Sequence, residues 1–355
     1  MSWSDFTIEN VKHFKKNKIH INKESPLLTA IKNERKLIKN FIKKFSKLHI
    51  KINKVKQSDL KSINKKIIKY SNVDWVDSEC LKNDLPNLDK IYEIIWLTPV
   101  DPNINNSENK MYIQTTDKVI SKIIKRLKIL IFIGEYLKYK TNNTNKIFNI
   151  FLILSNLKRF FPDDNKKIMV RHVNGGYTDT EKNIIFVWRY EEFEKVFIHE
   201  VIHYIDMDSR HQHVNIDVDI NGPTSFYEAL TDFWAIFYHL IYLSLITRLP
   251  ILNLLELELT FIENQAMTLN DHFNLGSWDY PLTNTVFKST NTILQSTPAF
   301  SYYILKYLLF NYFLENKLTD IHDYNTLINK IVEIGLITKP YIKLESSRMS
   351  LLQLD

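Results

Sequence analysis

The chain has 355 residues, 45% of them hydrophobic, with only 6 Gly and 10 Pro and a formal charge of +7. A chain of this length and composition buries a substantial core, as one large domain or two, which excludes disorder and low-complexity repetition. The single cysteine, Cys80, excludes an intramolecular disulfide framework and suits a reducing compartment.

Charge is unevenly placed. Residues 1–70 hold 19 Lys/Arg against 5 Asp/Glu, leaving the remainder net acidic. A basic arm on an acidic body suits nucleic acid or another anionic surface. A solvated face is the preferred reading, because Lys outnumbers Arg 39 to 8 and Asn and Ile are abundant throughout. That bias follows from an A/T-rich genome, of the kind found in large DNA viruses and some microbes. Met1–Asp5 lacks the basic head and apolar run of a signal peptide. The most apolar stretch, Phe233–Thr247, is broken by His239 and falls short of the ~20 residues a membrane span needs. An intracellular or virion protein with no membrane partner is expected.

In chain order, Ser25-Pro26 is a helix start, with Ser as N-cap and Pro in the first turn. Leu27, Leu28, Ile31, Ile38, Phe41, Ile42 and Phe45 then recur at helical spacing. A second helix is predicted near Asp59–Tyr70, and residues 71–90 are looser. Ile91–Leu97 is a short apolar segment stopped by Thr98-Pro99, and 101–110 is a polar loop. A long helix is predicted from Thr116 to Tyr139. Thr141–Asn145, short and Asn-rich, is the predicted boundary between a basic helical region, 1–145, and a second domain, 146–355. The first could cap a cleft, act as a removable pro-segment or recruit a partner.

Ile147–Phe161 fits a helix ended by Pro162. Lys167–Val173 and Asn183–Arg189 fit two strands joined through Gly175-Gly176. Ile184–Trp188 suits equally a sheet edge that receives a substrate strand and an ordinary buried strand.

Next comes His199-Glu200-Val201-Ile202-His203. Residues i and i+4 share a helix face, so His199 and His203 can present two imidazoles to one metal ion, most often zinc. Glu200 lies beside that pair, placed to take a proton from a metal-bound water and deliver it to a leaving amine. A catalytic zinc keeps three protein ligands and one open position. Ser209 stands where a third His would follow six residues later, and His211 and His213 sit off the expected geometry. Glu228 is the better third ligand, with Asp232 one turn on to steady a ligand imidazole. Ser225-Phe226-Tyr227-Glu228 also fits a capping box, a purely structural role for Glu228.

This arrangement resembles the gluzincins, H-E-x-x-H metallopeptidases whose third ligand is a Glu on a downstream helix. Their E-x-x-x-D pattern appears here as Glu228 and Asp232. The 25-residue step from His203 to Glu228 resembles the thimet oligopeptidase-like branch. Two features depart from that branch: Asp206 replaces a further His, and the chain is much shorter. The resemblance covers about residues 165–310. It implies a zincin-like catalytic domain with one Zn2+ and a peptide or protein substrate. It also implies an oxyanion donor from the later chain: Tyr302 or Tyr303, on a helix started by Thr297-Pro298, with His272 as rival. Leu249–Glu263 and Asp323–Ile334 are further helices, the second closed by Gly335.

The expected fold is α+β and predominantly helical, with a small sheet beside the H-E-x-x-H helix. The expected function is zinc-dependent peptide hydrolysis. The rival is an inactive zincin-like scaffold that binds nucleic acid or a protein through its basic N-terminal part.

Overall fold

Among the described residues six strands form one sheet, in the order β1-β2-β3-β4-β6-β5. They are β1 (Ile50–Lys54), β2 (Lys90–Leu97), β3 (Glu108–Thr115), β4 (Asn149–Ile153), β5 (Gly176–Asp179) and β6 (Ile184–Val187). The computed structural model describes residues 2–14, 18–99, 108–208, 220–275, 292–320, 324–332 and 341–355. The chain is thus mixed α/β and predominantly helical.

Its residues form two compact units: 35–158 with 174–207, and 1–34 with 159–173 and 208–355. This differs from the expected division into 1–145 and 146–355. β3 and β4 pair in parallel across Thr141–Asn145, and parallel neighbours need a long crossover. Here α5 (Asp117–Lys140) supplies it, so 141–145 is the return turn of a βαβ unit rather than a linker. Removing 1–145 would take three of the six strands, which argues against a detachable pro-segment.

In the first unit, β1–β3 are an antiparallel meander, β4 and β6 are parallel, and β5 turns back antiparallel on β6. β4 and β6 are buried on both sides and are continuous apolar runs, as internal parallel strands require. Ile184–Val187 is therefore an internal strand, and β5 is the sheet edge at that end among the described residues. The apolar run at 150–153 has no period of two, so it passes for helix. Instead it forms β4, which corrects the helix expected over Ile147–Phe161.

α3 (Gln57–Ser71) and the short α4 (Ser78–Asp84) lie on one sheet face, where Ile63, Ile67 and Leu81 pack with Ile91, Phe151 and Phe186. α5 lies on the other, its Glu135 accepting a hydrogen bond from Trp96 Nε1 at 2.8 Å. Thr116 caps α5, its side chain accepting from the Val119 N–H. α2 (Pro26–Lys44) begins among the residues of the second unit. Its Phe41 ring meets Tyr136 of α5 at 5.5 Å.

The second unit is mainly helical. Its elements are α1 (Asp5–Phe14), α6 (Val170–Val173), α8 (Phe226–Thr247), α9 (Ile251–His272), α10 (Lys306–Glu315) and α11 (Tyr324–Val332), with a two-stranded pair β7 (Ile220–Asn221) and β8 (Ile293–Leu294). α7 (Phe193–Tyr204) belongs to the first unit. The strand expected over Lys167–Val173 is mostly α6, with Ile168 alone bridging to Gln295. α9 runs on to His272, past the expected end at Glu263. At 22 residues, α8 is long and apolar enough to cross a membrane, yet 83% of its most apolar window is buried inside the protein. The two chain ends meet: Trp3 pairs with Leu354, and Thr7 Oγ1 donates to the Leu351 carbonyl at 2.8 Å. Gly335, Ser209, His211 and His213 lie outside the described residues.

Candidate metal centre

α7 carries His199, Glu200 and His203, and all twelve of its residues are buried. The helix packs on β5, β6 and α5, which accounts for its mostly apolar sequence. Its far end is pinned by the segment after α5. Lys146 Nζ donates to the Tyr204 carbonyl at 2.7 Å, a cation at a helix C-terminus where the backbone dipole favours it. Asn143 Nδ2 donates to the Ile205 carbonyl at 2.8 Å, and the Tyr204 hydroxyl donates to Ile147 O at 2.5 Å. Burial pushes the Tyr204 hydroxyl pKa up to about 12.

The His199 and His203 rings lie 4.7 Å apart, centre to centre, and nearly perpendicular. One turn of helix accounts for that spacing. Edge strand β5 supports Glu200. The Thr178 hydroxyl sits 2.8 Å from Glu200 Oε2 and 2.9 Å from the Glu200 carbonyl. Gly176 is what lets the strand approach so closely. A Cβ there would sit 2.7 Å from both Glu200 Oε1 and Val196 Cγ1. Neighbouring Tyr177 donates to the Tyr70 carbonyl at 2.8 Å, and burial raises its hydroxyl pKa.

In the second unit, Ser225 caps α8 by accepting from the Glu228 N–H, so the capping role predicted for that Ser is present. The half-buried Glu228 side chain accepts a hydrogen bond from Tyr302 Oη at Oε2, 3.0 Å away. Tyr302 lies in a π-helical turn, Ser301–Leu305, that leads into α10. Such wide turns recur at functional sites. Asp232, one turn beyond Glu228, pairs with Lys306 Nζ at 2.9 Å, both side chains inaccessible to solvent. Lys306 Nζ also donates to the Met349 carbonyl at 3.0 Å. Thr231 Oγ1 donates to Asp208 Oδ2 at 3.1 Å.

The other two oxyanion candidates are engaged elsewhere. The Tyr303 hydroxyl donates to the Ser347 carbonyl at 2.7 Å in the interior. His272 Nε2 lies 2.8 Å from the Lys166 carbonyl, and its Nδ1 lies 3.7 Å from Asp164.

One ligand atom from each of His199, His203 and Glu228 lies within 4.8 Å of the others, both imidazoles being buried. Two imidazoles and a carboxylate are a donor set that suits zinc. The chain matches no family model, no curated protein and no solved structure.

Thr178, Gly176 and Lys306 were missed from the sequence. Lys306, a lone charge inside the apolar run 304–310, was a readable sign of a buried partner. Gly176, one of only 6 glycines, was a weaker one. Thr178 carried no signal, because its role depends on sheet register.

Proposed function

We propose that the chain is a zinc-dependent peptidase of gluzincin type, with a zincin-like arrangement in which His199, His203 and Glu228 hold one Zn2+. The observation that carries this reading is the approach of their ligand atoms to within 4.8 Å. Tetrahedral zinc ligands at bonds of about 2.1 Å lie about 3.4 Å apart, so a modest side-chain adjustment fits the ion. When bound, zinc acidifies a water and polarises a substrate carbonyl. Glu200 would take a proton from the attacking water and pass it to the leaving amine as the carbon–nitrogen bond breaks, acting as base and then acid. Thr178 holds one Glu200 oxygen, so the carboxylate is oriented before reaction. Tyr302 orients the Glu228 carboxylate; we assign the same hydroxyl to the developing oxyanion, for which its one proton would have to turn from Glu228 to the substrate. Lys306 pairs with the Asp232 carboxylate and holds it in place.

The substrate we infer is an extended peptide. Among the described residues β5 is a sheet edge, and the outer N–H and C=O groups of an edge strand offer an added strand backbone bonds. The exposed Cys80, which forms no disulfide, is in keeping with an intracellular setting.

Metal analysis beside a proteomic cleavage screen tests the proposal. One zinc per chain is expected, lost in Glu228→Ala. Glu200→Gln should keep the metal and abolish cleavage. Metal-free protein, or cleavage that survives Glu200→Gln, would overturn it. Zinc without cleavage of any peptide would point to a binding scaffold instead.

A further inference from the structure

A second feature stands apart from the metal centre. Residues 35–70 hold 13 Lys/Arg and a single acid, Asp59, against 34 and 39 in the rest of the chain. A genome-wide lysine bias raises Lys everywhere and does not segregate it from Asp and Glu. The segregation therefore needs its own cause.

All twelve lysines of this segment are exposed. Lys54 pairs with Asp117 at 3.3 Å, and among the described residues the other eleven form no ion pair. The segment comprises the end of α2, edge strand β1 and α3. Lys36, Lys39 and Lys43 follow one stripe of α2 at i, i+3 and i+7. Lys51 and Lys54 lie on β1, whose outer edge carries no further strand among the described residues. Lys61, Lys65, Lys66 and Lys69 line α3. Leu60, Lys61, Lys65 and Ile68 border a shallow, open groove there of about 590 Å³. Trp75, just beyond, is 52% exposed.

The shape of this surface selects among anionic partners. α2 packs through Phe41 on α5, on one sheet face, while α3 packs on the other. The lysines therefore form a band that turns round the β1 edge. The exposed apolar residues Leu37 and Ile68 sit on those two opposed helices, so no single flat bilayer surface can take both. A flexible or helical polyanion can follow such a band. α3 alone, with its 15 residues at about 1.5 Å each, covers the rise of about six nucleotides along one strand. Twelve of these thirteen cations are lysines, point charges for phosphate rather than the bidentate arginine forks that read base edges.

We propose that residues 35–70 dock nucleic acid by its phosphate backbone, without sequence readout. The proposal is independent of zinc and of peptide cleavage.

The test is fluorescence anisotropy of the full chain with labelled 20-nucleotide single strands of two unrelated sequences and their duplexes. Both sequences should bind alike. With about six phosphate contacts on a single strand, affinity should fall roughly 300-fold between 50 and 200 mM salt. Two variant sets probe the band: Lys61→Gln, Lys65→Gln, Lys66→Gln and Lys69→Gln on α3, and Lys36→Gln, Lys39→Gln and Lys43→Gln on α2. Each set should lower the salt slope by about 0.7 per lysine removed while leaving circular dichroism and melting unchanged. Absence of binding at 50 mM salt overturns the proposal. So does binding that both variant sets retain with an unaltered slope. Uptake onto phosphatidylserine vesicles with no oligonucleotide binding overturns it in favour of a membrane.

Discussion

Gly176→Ala tests whether the edge strand truly seats against the H-E-x-x-H helix. The added Cβ would lie 2.7 Å from Glu200 Oε1 and Val196 Cγ1, and 2.8 Å from Glu200 Cγ. Ordinary carbon contacts begin near 3.5 Å, so strand or helix must give by about 0.7 Å. Overpacking of this size costs about 1–3 kcal/mol, a loss a folded protein survives. For a cooperative unit of 150–250 residues that is a fall of roughly 2–12 °C in melting temperature. Glu200 is one of the groups displaced, and misplacing a reacting group by about 1 Å can cost about 100-fold in rate. The expected result is a folded, zinc-loaded protein that melts lower and cleaves peptide far more slowly. Val196→Ala removes one of the two nearest obstacles. The pair of substitutions should therefore show favourable coupling of about 0.5–3 kcal/mol in a double-mutant cycle. A Gly176→Ala protein that melts with wild type, with no coupling to Val196→Ala, would show that β5 does not press on α7 as described.

Three further outcomes follow from the same geometry. Tyr302→Phe deletes the hydroxyl that donates to Glu228, and zinc affinity measured against a competing chelator should drop about 10- to 100-fold; unchanged affinity would refute an orienting role. Lys306→Met removes a cation that pairs with the inaccessible Asp232 carboxylate and should cost about 3–5 kcal/mol in denaturant unfolding, with much of the loss recovered by adding Asp232→Asn. Folded Tyr204 holds its proton up to about pH 12, against about 10 in the unfolded chain. Its contribution is complete below pH 10 and fades as pH rises through 12, so Tyr204→Phe should flatten that part of the melting profile. An identical alkaline slope in wild type and variant would contradict it.

Periodic helices were legible. α2 begins at the Ser25-Pro26 signal and α5 at Thr116, because capping and 3.6-residue periodicity are local physics. The relation of His199 to His203 was legible for the same reason. What depends on partners far along the chain was not. β4 is an apolar run sealed on both faces, and nothing within residues 149–153 distinguishes that from a buried helix. The expected strand at Lys167–Val173 failed because seven consecutive pairing residues were assumed where only Ile168 forms a bridge, to Gln295.

The same distinction explains why Thr141–Asn145 was misjudged. Its polar, Asn-rich composition suits an exposed turn, and a turn it is. Whether a turn separates domains depends on what its flanks pair with, and here β3 and β4 join in register from Lys110↔Asn149 to Gln114↔Ile153. That register makes 143–147 the clamp on the C-terminal end of α7, through Asn143, Lys146 and the Ile147 carbonyl. The N-terminal half of the chain is therefore part of the scaffold that fixes the two imidazoles. Truncation before residue 146 should cost the fold of that unit, and with it any metal binding.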